Sequence, residues 1–143
     1  MRTVRELLEK KGRNVWSIGP DDSVMDALGL MAEKDVGALL VLDGRRISGI
    51  FSERDYARKV ALKGKTSKDT RVREIMTSDV LFVDPDKTVD QCLALMTDKH
   101  VRHLPVLSGG ELTGLISIGD IVKEVISDQE FIISQLETYI RGK

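Results

Sequence analysis

Two stretches of the chain set a hydroxyl and a carboxylate at the same spacing. In Ser52-Glu53-Arg54-Asp55, and again in Ser117-Ile118-Gly119-Asp120, an aspartate follows a serine by three residues. Each pair comes directly after a short apolar run and opens a stretch of helical character. One chemistry open to it is local. A serine at a helix N-cap accepts from a backbone N–H of the first turn, and an acid in that turn favours the helix dipole. The other chemistry is recognition. The same helix end offers unpaired N–H groups and partial positive charge to a phosphate. The aspartate can accept from both hydroxyls of a ribose, and the serine hydroxyl can donate to a phosphate oxygen. Gly49 and Gly114, three residues before each serine, would let a ligand approach the strand. Both readings use one geometry, and neither excludes the other.

The elements that must position these pairs recur with them. Residues 18–60 lie over residues 83–125 at one constant offset without a gap, matching Pro20 to Pro85, Leu28 to Leu93, Val41 to Val106 and Gly49 to Gly114. Such self-similarity marks a structural repeat. Val24, Ala27, Leu28 and Met31 recur at helical spacing, as do Val89, Cys92, Leu93 and Met96, which gives one buried helix face per copy. Thr88 with Gln91 fits a capping box, and Ser23 with Asp26 is a weaker version. A strand follows at Ala38–Leu42 or Leu104–Leu107. Then come a glycine-bearing hairpin turn, a second strand at Ile47–Phe51 or Leu112–Ile116, and a second helix at the serine. With Val15–Ile18 and Val80–Val83 as short lead-in strands, the unit is β-α-β-β-α. The fold class is α/β in the broad sense (α+β), two tandem units packed with pseudo-twofold symmetry.

The remaining segments frame the copies. Val4, Leu7 and Leu8 suggest a short N-terminal helix, and Val72, Ile75 and Met76 a matching linker helix. Phe131, Ile132, Leu136, Tyr139 and Ile140 share one face of a C-terminal amphipathic helix. The expected divisions are an N-terminal linker helix at 1–10, the first copy at 11–65, a linker at 66–75, the second copy at 76–127 and the tail helix at 128–143. Lys and Arg total 22 against 23 Asp and Glu, a net charge of −1, so no basic excess marks a nucleic-acid surface. No apolar run approaches the roughly 20 residues of a membrane span. The charged N-terminus lacks an apolar signal core. The expectation is a soluble cytoplasmic protein that engages neither membrane nor nucleic acid.

The two copies resemble a pair of CBS domains, the Bateman module. The resemblance rests on "VGALLVLD…ISGIFSERD", "HVRHLPVL" and "LTGLISIGDIV", with Gly-x-x-Ser-x-x-Asp present twice. It implies a regulatory adenosine-nucleotide sensor, not an enzyme, with AMP, ADP, ATP or NAD(H) bound in clefts between the repeats. It implies ribose binding by Asp55 and Asp120, and phosphate binding by Ser52 and Ser117. It places adenine against Val15 and Val80, with Ala38 and Pro105 from the following strands; all four are apolar and would read equally as core. It implies a homodimer and a regulated partner that the sequence does not identify.

The copies are unlike where the resemblance puts phosphate. His100, Arg102 and His103 stand where the first copy has Asp35, Gly37 and Ala38, and they make this stretch the more basic of the two. Arg54 offers a further phosphate contact after Ser52, and Gly119 holds that place after Ser117. Lys65, in a basic loop, offers a contact to a polyphosphate. Two clefts with different affinities or different ligands are the expectation. His100-x-x-His103 makes a poor metal site, with an arginine inside it and no third ligand. Cys92 reads as a small core residue. The alternative function is an interaction adaptor whose clefts are vestigial.

Overall fold

A computed structural model of the chain describes residues 2–141, and the side chains of residues 2–138. It divides into two compact units: Asn14–Val80, and Met1–Arg13 together with Leu81–Lys143.

The first unit, Asn14–Val80, contains β1 (Ser17–Ile18), α2 (Val24–Lys34), β2 (Ala38–Asp43), β3 (Arg46–Ser52), α3 (Glu53–Tyr56) and α4 (Val72–Ile75). α3 widens directly into a π-helical stretch, Ala57–Ala61. β1 pairs parallel to β2, and β2 antiparallel to β3. The second unit begins with α1 (Val4–Lys11) and continues with α5 (Val89–Lys99), β4 (His103–Ser108), β5 (Glu111–Ser117) and α6 (Ile118–Arg141). β4 and β5 form an antiparallel pair.

Local chemistry explains these boundaries. Ser23 caps α2 and Thr88 caps α5, the latter with the full Thr88/Gln91 capping box. Asp35 and His100 end the two helices in left-handed conformations, φ 53° and 56°, and each sends its N–H back to the helix. Aspartate and histidine tolerate that conformation better than most residues. The hairpins turn at Gly44-Arg45 and Gly109-Gly110. Positive φ falls on Gly44 alone in the first and on both glycines in the second, the patterns of type II′ and type I′ turns.

Three expectations are corrected. The lead-in strand expected at Val15–Ile18 shrinks to Ser17–Ile18, and Val15 lies outside it. The one expected at Val80–Val83 reduces to a single bridge, Val83 to Val106. The tail does not form a helix of its own: α6 runs unbroken from Ile118 to Arg141, because no proline or glycine interrupts it after Gly119. Phe131, Ile132 and Leu136 are exposed on it. Tyr139 and Ile140, also assigned to that face, have side chains outside the described residues.

Each unit has its own core. Val24, Ala27, Met31, Leu39, Val41 and Phe51 are buried with Val72 and Ile75 of α4. Val89, Cys92, Met96, Leu104, Val106, Ile116 and Ile121 are buried with Val4, Leu7 and Leu8 of α1. The helix ahead of each copy thus completes the core of the other copy. α4 hangs from Pro20 and Asp22 by backbone hydrogen bonds from Arg73 and Val72, and α1 hangs from Pro85 and Lys87 by bonds from Arg5 and Val4. Arg73 pairs with Asp21 and Arg5 with Asp86. The motif behind this is Val4-Arg5-Glu6-Leu7 against Val72-Arg73-Glu74-Ile75, a second repeat whose order is crossed relative to the first.

The glycines of the second hairpin strands serve this docking and not a ligand, contrary to the expectation for Gly49 and Gly114. A Cβ on Gly49 would stand 2.6 Å from the Thr77 carbonyl oxygen, and one on Gly114 would stand 2.7 Å from Leu8 Cδ2. Thr77 also bridges to Ile50 through reciprocal N–H···O bonds of 2.9 Å. Gly49→Ala is therefore expected to lower stability by about 1–3 kcal/mol. Gly114→Ala should cost less, because a leucine side chain can move where a backbone carbonyl cannot. Urea midpoints of the two variants test the order; an equal or reversed loss would refute it.

Candidate functional site

Both Ser-x-x-Asp pairs sit at the same structural corner. β3 ends at Ser52, which lies opposite Ala38 on β2; β5 ends at Ser117, opposite His103 on β4. Helix begins at the next residue in each case. The Asp55 N–H donates to Ser52 Oγ at 3.2 Å, and the Ser52 N–H returns to Asp55 Oδ2 at 3.0 Å. The second copy repeats this: Asp120 N–H to Ser117 Oγ at 3.2 Å, and Ser117 N–H to Asp120 Oδ2 at 2.8 Å. Each pair is a reciprocal capping box. The first helical N–H is also taken. Glu53 N–H donates to the Gly37 carbonyl, and Ile118 N–H to that of Arg102.

The two carboxylates differ in what remains. Asp55 Oδ2 also accepts from the Ser52 hydroxyl at 3.0 Å, and Oδ1 accepts from Thr77 Oγ1 at 3.1 Å beside Lys59 Nζ at 3.1 Å. A carboxylate has about four acceptor positions, and these four donors fill them. The Asp55 side chain is 10% exposed. At Asp120 the hydrogen bonds from described residues fall on Oδ2 alone, from Ser117 N–H and from Lys11 Nζ at 2.5 Å. Its side chain is 20% exposed. Burial pushes the Asp120 carboxyl up, but Lys11 and Ser117 together outweigh it and hold it below its ordinary value.

Thr77 and Lys11 come from the crossed helices and Lys59 from the helix of Asp55 itself, and reading by repeat missed all three. α4 is a single turn that gives way to extended backbone at Met76, so Thr77 falls beside β3 with its hydroxyl on Asp55. α1 has eight residues before Gly12, φ 97°, ends it, so its last residue, Lys11, reaches Asp120 and the Leu115 carbonyl. One turn along α6, the position matching Lys59 is Glu124. It is 5% exposed and paired with Lys10 at 3.0 Å and Arg2 at 3.4 Å. The signal for Thr77 and Lys11 was the crossed Val-Arg-Glu motif; for Lys59 it was the spacing of four from Asp55.

The other sequence-predicted residues divide by position. Arg54 and Gly119 are exposed in the first turns behind their serines. Arg102 is exposed, with its carbonyl bonded at the helix mouth; His103 lies directly across from Ser117. His100 is an exposed helix cap. Ala38 and Pro105 are both buried but do not correspond. Ala38 faces Ser52, whereas Pro105 pairs with Leu115, two positions further from the serine. Val15 and Val80 are half-buried in irregular backbone. Lys65 is not brought to the Ser52 mouth: its N–H bonds Val60 O, at the opposite end of that helix. Cys92 is buried, and burial pushes its thiol up to about 11, so it stays protonated and unreactive at neutral pH.

A strand-end serine, a capping aspartate and a crossed helix, present twice, define a pair of matching corners. The chain belongs to the CBS-domain family: the CBS domain model matches residues 4–62 and 72–127. It is 35% identical to the mitochondrial CBS domain-containing protein CBSX3 of Arabidopsis thaliana, over 98% of this chain and 72% of that protein. A putative signal-transduction protein with CBS domains from Burkholderia ambifaria MC40-6 shares 56% identity at a TM-score of 0.85, covering 89% of this chain and 96% of that one. A hexameric CBS-CP12 protein from bloom-forming cyanobacteria shares 33%, over 84% and 70% of the two chains, at a TM-score of 0.75. CBS-domain pairs commonly bind adenosine-bearing ligands, and the family is generally regulatory rather than catalytic. Among the described residues no helix is long and apolar enough to cross a membrane.

A carboxyl held low in the fold stabilises it above its unfolded value and loses that contribution as pH falls through its folded value. Asp120 therefore stabilises the fold at neutral pH and contributes to unfolding only in acid. Asp120→Asn should be less stable than the wild type at pH 7, with the gap closing below about pH 4. Urea midpoints from pH 7 to 3 would show it. A gap that persists unchanged into acid would mean that the charge on Asp120 contributes nothing.

Proposed function

We propose that this chain is a regulatory protein that binds an adenosine nucleotide at its Ser-x-x-Asp corners and passes the bound state to a partner protein. AMP, ADP, ATP and NAD(H) are the candidate ligands. The observation that carries the reading is Asp120: a partly exposed carboxylate at a helix mouth, held ionised, with its described hydrogen bonds on one oxygen only. A ribose diol needs such an acceptor. Ser117, Gly119, the guanidinium of Arg102 and the imidazoles of His100 and His103 supply a phosphate-compatible rim, and Pro105 remains an adenine candidate. The family's preference for adenosine-bearing ligands supports the same reading. Asp55, with its acceptor positions filled, favours a second role for the first copy. Ser52 and Asp55 act first as a structural cap, and a nucleotide there, near Arg54 with Val15 and Ala38, must displace Thr77 or Lys59. That asymmetry supports two sites of unequal affinity. No residue is assigned a catalytic role.

The test is a thermal-shift panel with AMP, ADP, ATP, NAD, NADH and S-adenosylmethionine. A ligand at 100 times its Kd stabilises by about 2.7 kcal/mol, a rise of a few degrees for a protein of this size. The shift should vanish in Asp120→Ala and largely survive in Ser52→Ala, which instead lowers the unliganded Tm through loss of a cap worth about 1 kcal/mol. No shift with any of the six at millimolar concentration would leave two helix caps and favour the adaptor reading.

Homodimerisation belongs to the same proposal. Val122, Ile126, Phe131, Ile132, Ile133 and Leu136 are all exposed along α6, more apolar surface than one helix ordinarily leaves to water. Ile133→Glu with Leu136→Glu should shift the protein toward monomer in sedimentation velocity. A wild type already monomeric at the same concentration would reject it.

A further inference from the structure

Lys11 is assigned no role by the family resemblance, and it precedes the first copy in sequence. The structure nevertheless puts its ammonium group at the corner of the second copy. Nζ lies 2.5 Å from Asp120 Oδ2 and 2.6 Å from the Leu115 carbonyl oxygen. An ammonium group has three N–H donors, and these contacts use two. The group is therefore fixed beside the candidate ribose carboxylate with one donor uncommitted among the described residues, and the side chain is 36% exposed. Its backbone is pinned independently. Val4, Leu7 and Leu8 are buried, Lys10 holds Glu124 at 3.0 Å, and Arg2 holds Asp128 at 3.2 Å. Asp120, Glu124 and Asp128 follow one another at four-residue steps along α6, so α1 is strapped to that face at three levels.

From this placement we infer that Lys11 is a ligand-binding residue of the Ser117–Asp120 corner, where its ammonium donates to a 5′-phosphate and selects phosphorylated nucleosides over the bare nucleoside. The inference rests on the proposed nucleotide binding and adds the residue that sets its phosphate preference. A ribose held on Asp120 would bring its 5′ substituent toward the same helix mouth, where Lys11 offers an ammonium group held in place by two contacts. The first copy differs at its carboxylate. Lys59 also gives one N–H to its aspartate and one to a carbonyl, that of Ile75, but Asp55 is already filled by Ser52 and Thr77. The asymmetry arises from helix length. α1 extends past its buried anchors to Lys11, whereas α4 stops at Ile75.

Isothermal titration of the full chain with AMP and with adenosine tests the inference. Lys11→Met should weaken AMP roughly tenfold or more, the scale of a lost charge-assisted hydrogen bond, while adenosine binding changes little or tightens. Lys11→Arg should restore most of the AMP preference. Lys10→Met perturbs the same helix and should lower Tm without moving the AMP-to-adenosine ratio. Equal weakening of both ligands in Lys11→Met would make Lys11 a purely structural strap and overturn the inference alone. A wild-type chain that binds neither ligand would overturn the proposed function, and this inference with it.

Discussion

Two missing Cβ atoms govern how this chain is put together. At Gly49 and Gly114 the second strand of each hairpin has no side chain, and a crossed helix or its trailing residue occupies that space. The buried anchors Val72 and Ile75 on one side, and Val4, Leu7 and Leu8 on the other, reach their cores because backbone and side chain approach this closely. The same seating brings Thr77 to Asp55 and Lys11 to Asp120. Core packing and site electrostatics are therefore one arrangement seen from two sides.

Near-identical corners then become unlike through what the crossed helices deliver. A neutral hydroxyl and a lysine of its own helix complete Asp55, which leaves it a buried, fully bonded cap. A lysine from another element balances Asp120 and leaves that carboxylate partly open. Further along, Lys59 and Glu124 occupy matching positions with opposite charge. The glutamate is tolerated in its buried place because Lys10 and Arg2 face it. Such divergence between duplicated halves makes the two corners chemically unlike without altering the shared scaffold.

Much of this was legible in the sequence, for definable reasons. Periodicity exposed the faces around Val24 and Val89, glycine placement gave the hairpins, and the in-register repeat gave the two corners. Ser-x-x-Asp is a local signal, and its reciprocal capping could be read directly. What escaped reading was non-local. The lead-in segments lack strand length because pairing, not propensity, decides whether Val15 or Val80 joins a sheet. Gly49 and Gly114 read as room for a ligand because a single sequence does not say which atom fills a gap. Lys11 and Thr77 were invisible while each copy was read with its own preceding helix. Lys65 looked available from charge alone, but it sits at the far end of its helix.

The crossing of α1 and α4 also bears on the order in which the protein is made. Asn14–Val80 is one contiguous stretch, so its core can close as it leaves the ribosome. α1 emerges before Asn14–Val80 but has no partner until Leu104, Ile116 and Ile121 have been synthesised. Val4, Leu7 and Leu8 must therefore wait, solvated or in transient contacts, through most of translation. Closing the second core is then a long-range event of the kind that slows folding. Whatever binds α1 during synthesis acts on the second core and not on the unit beside it in the chain.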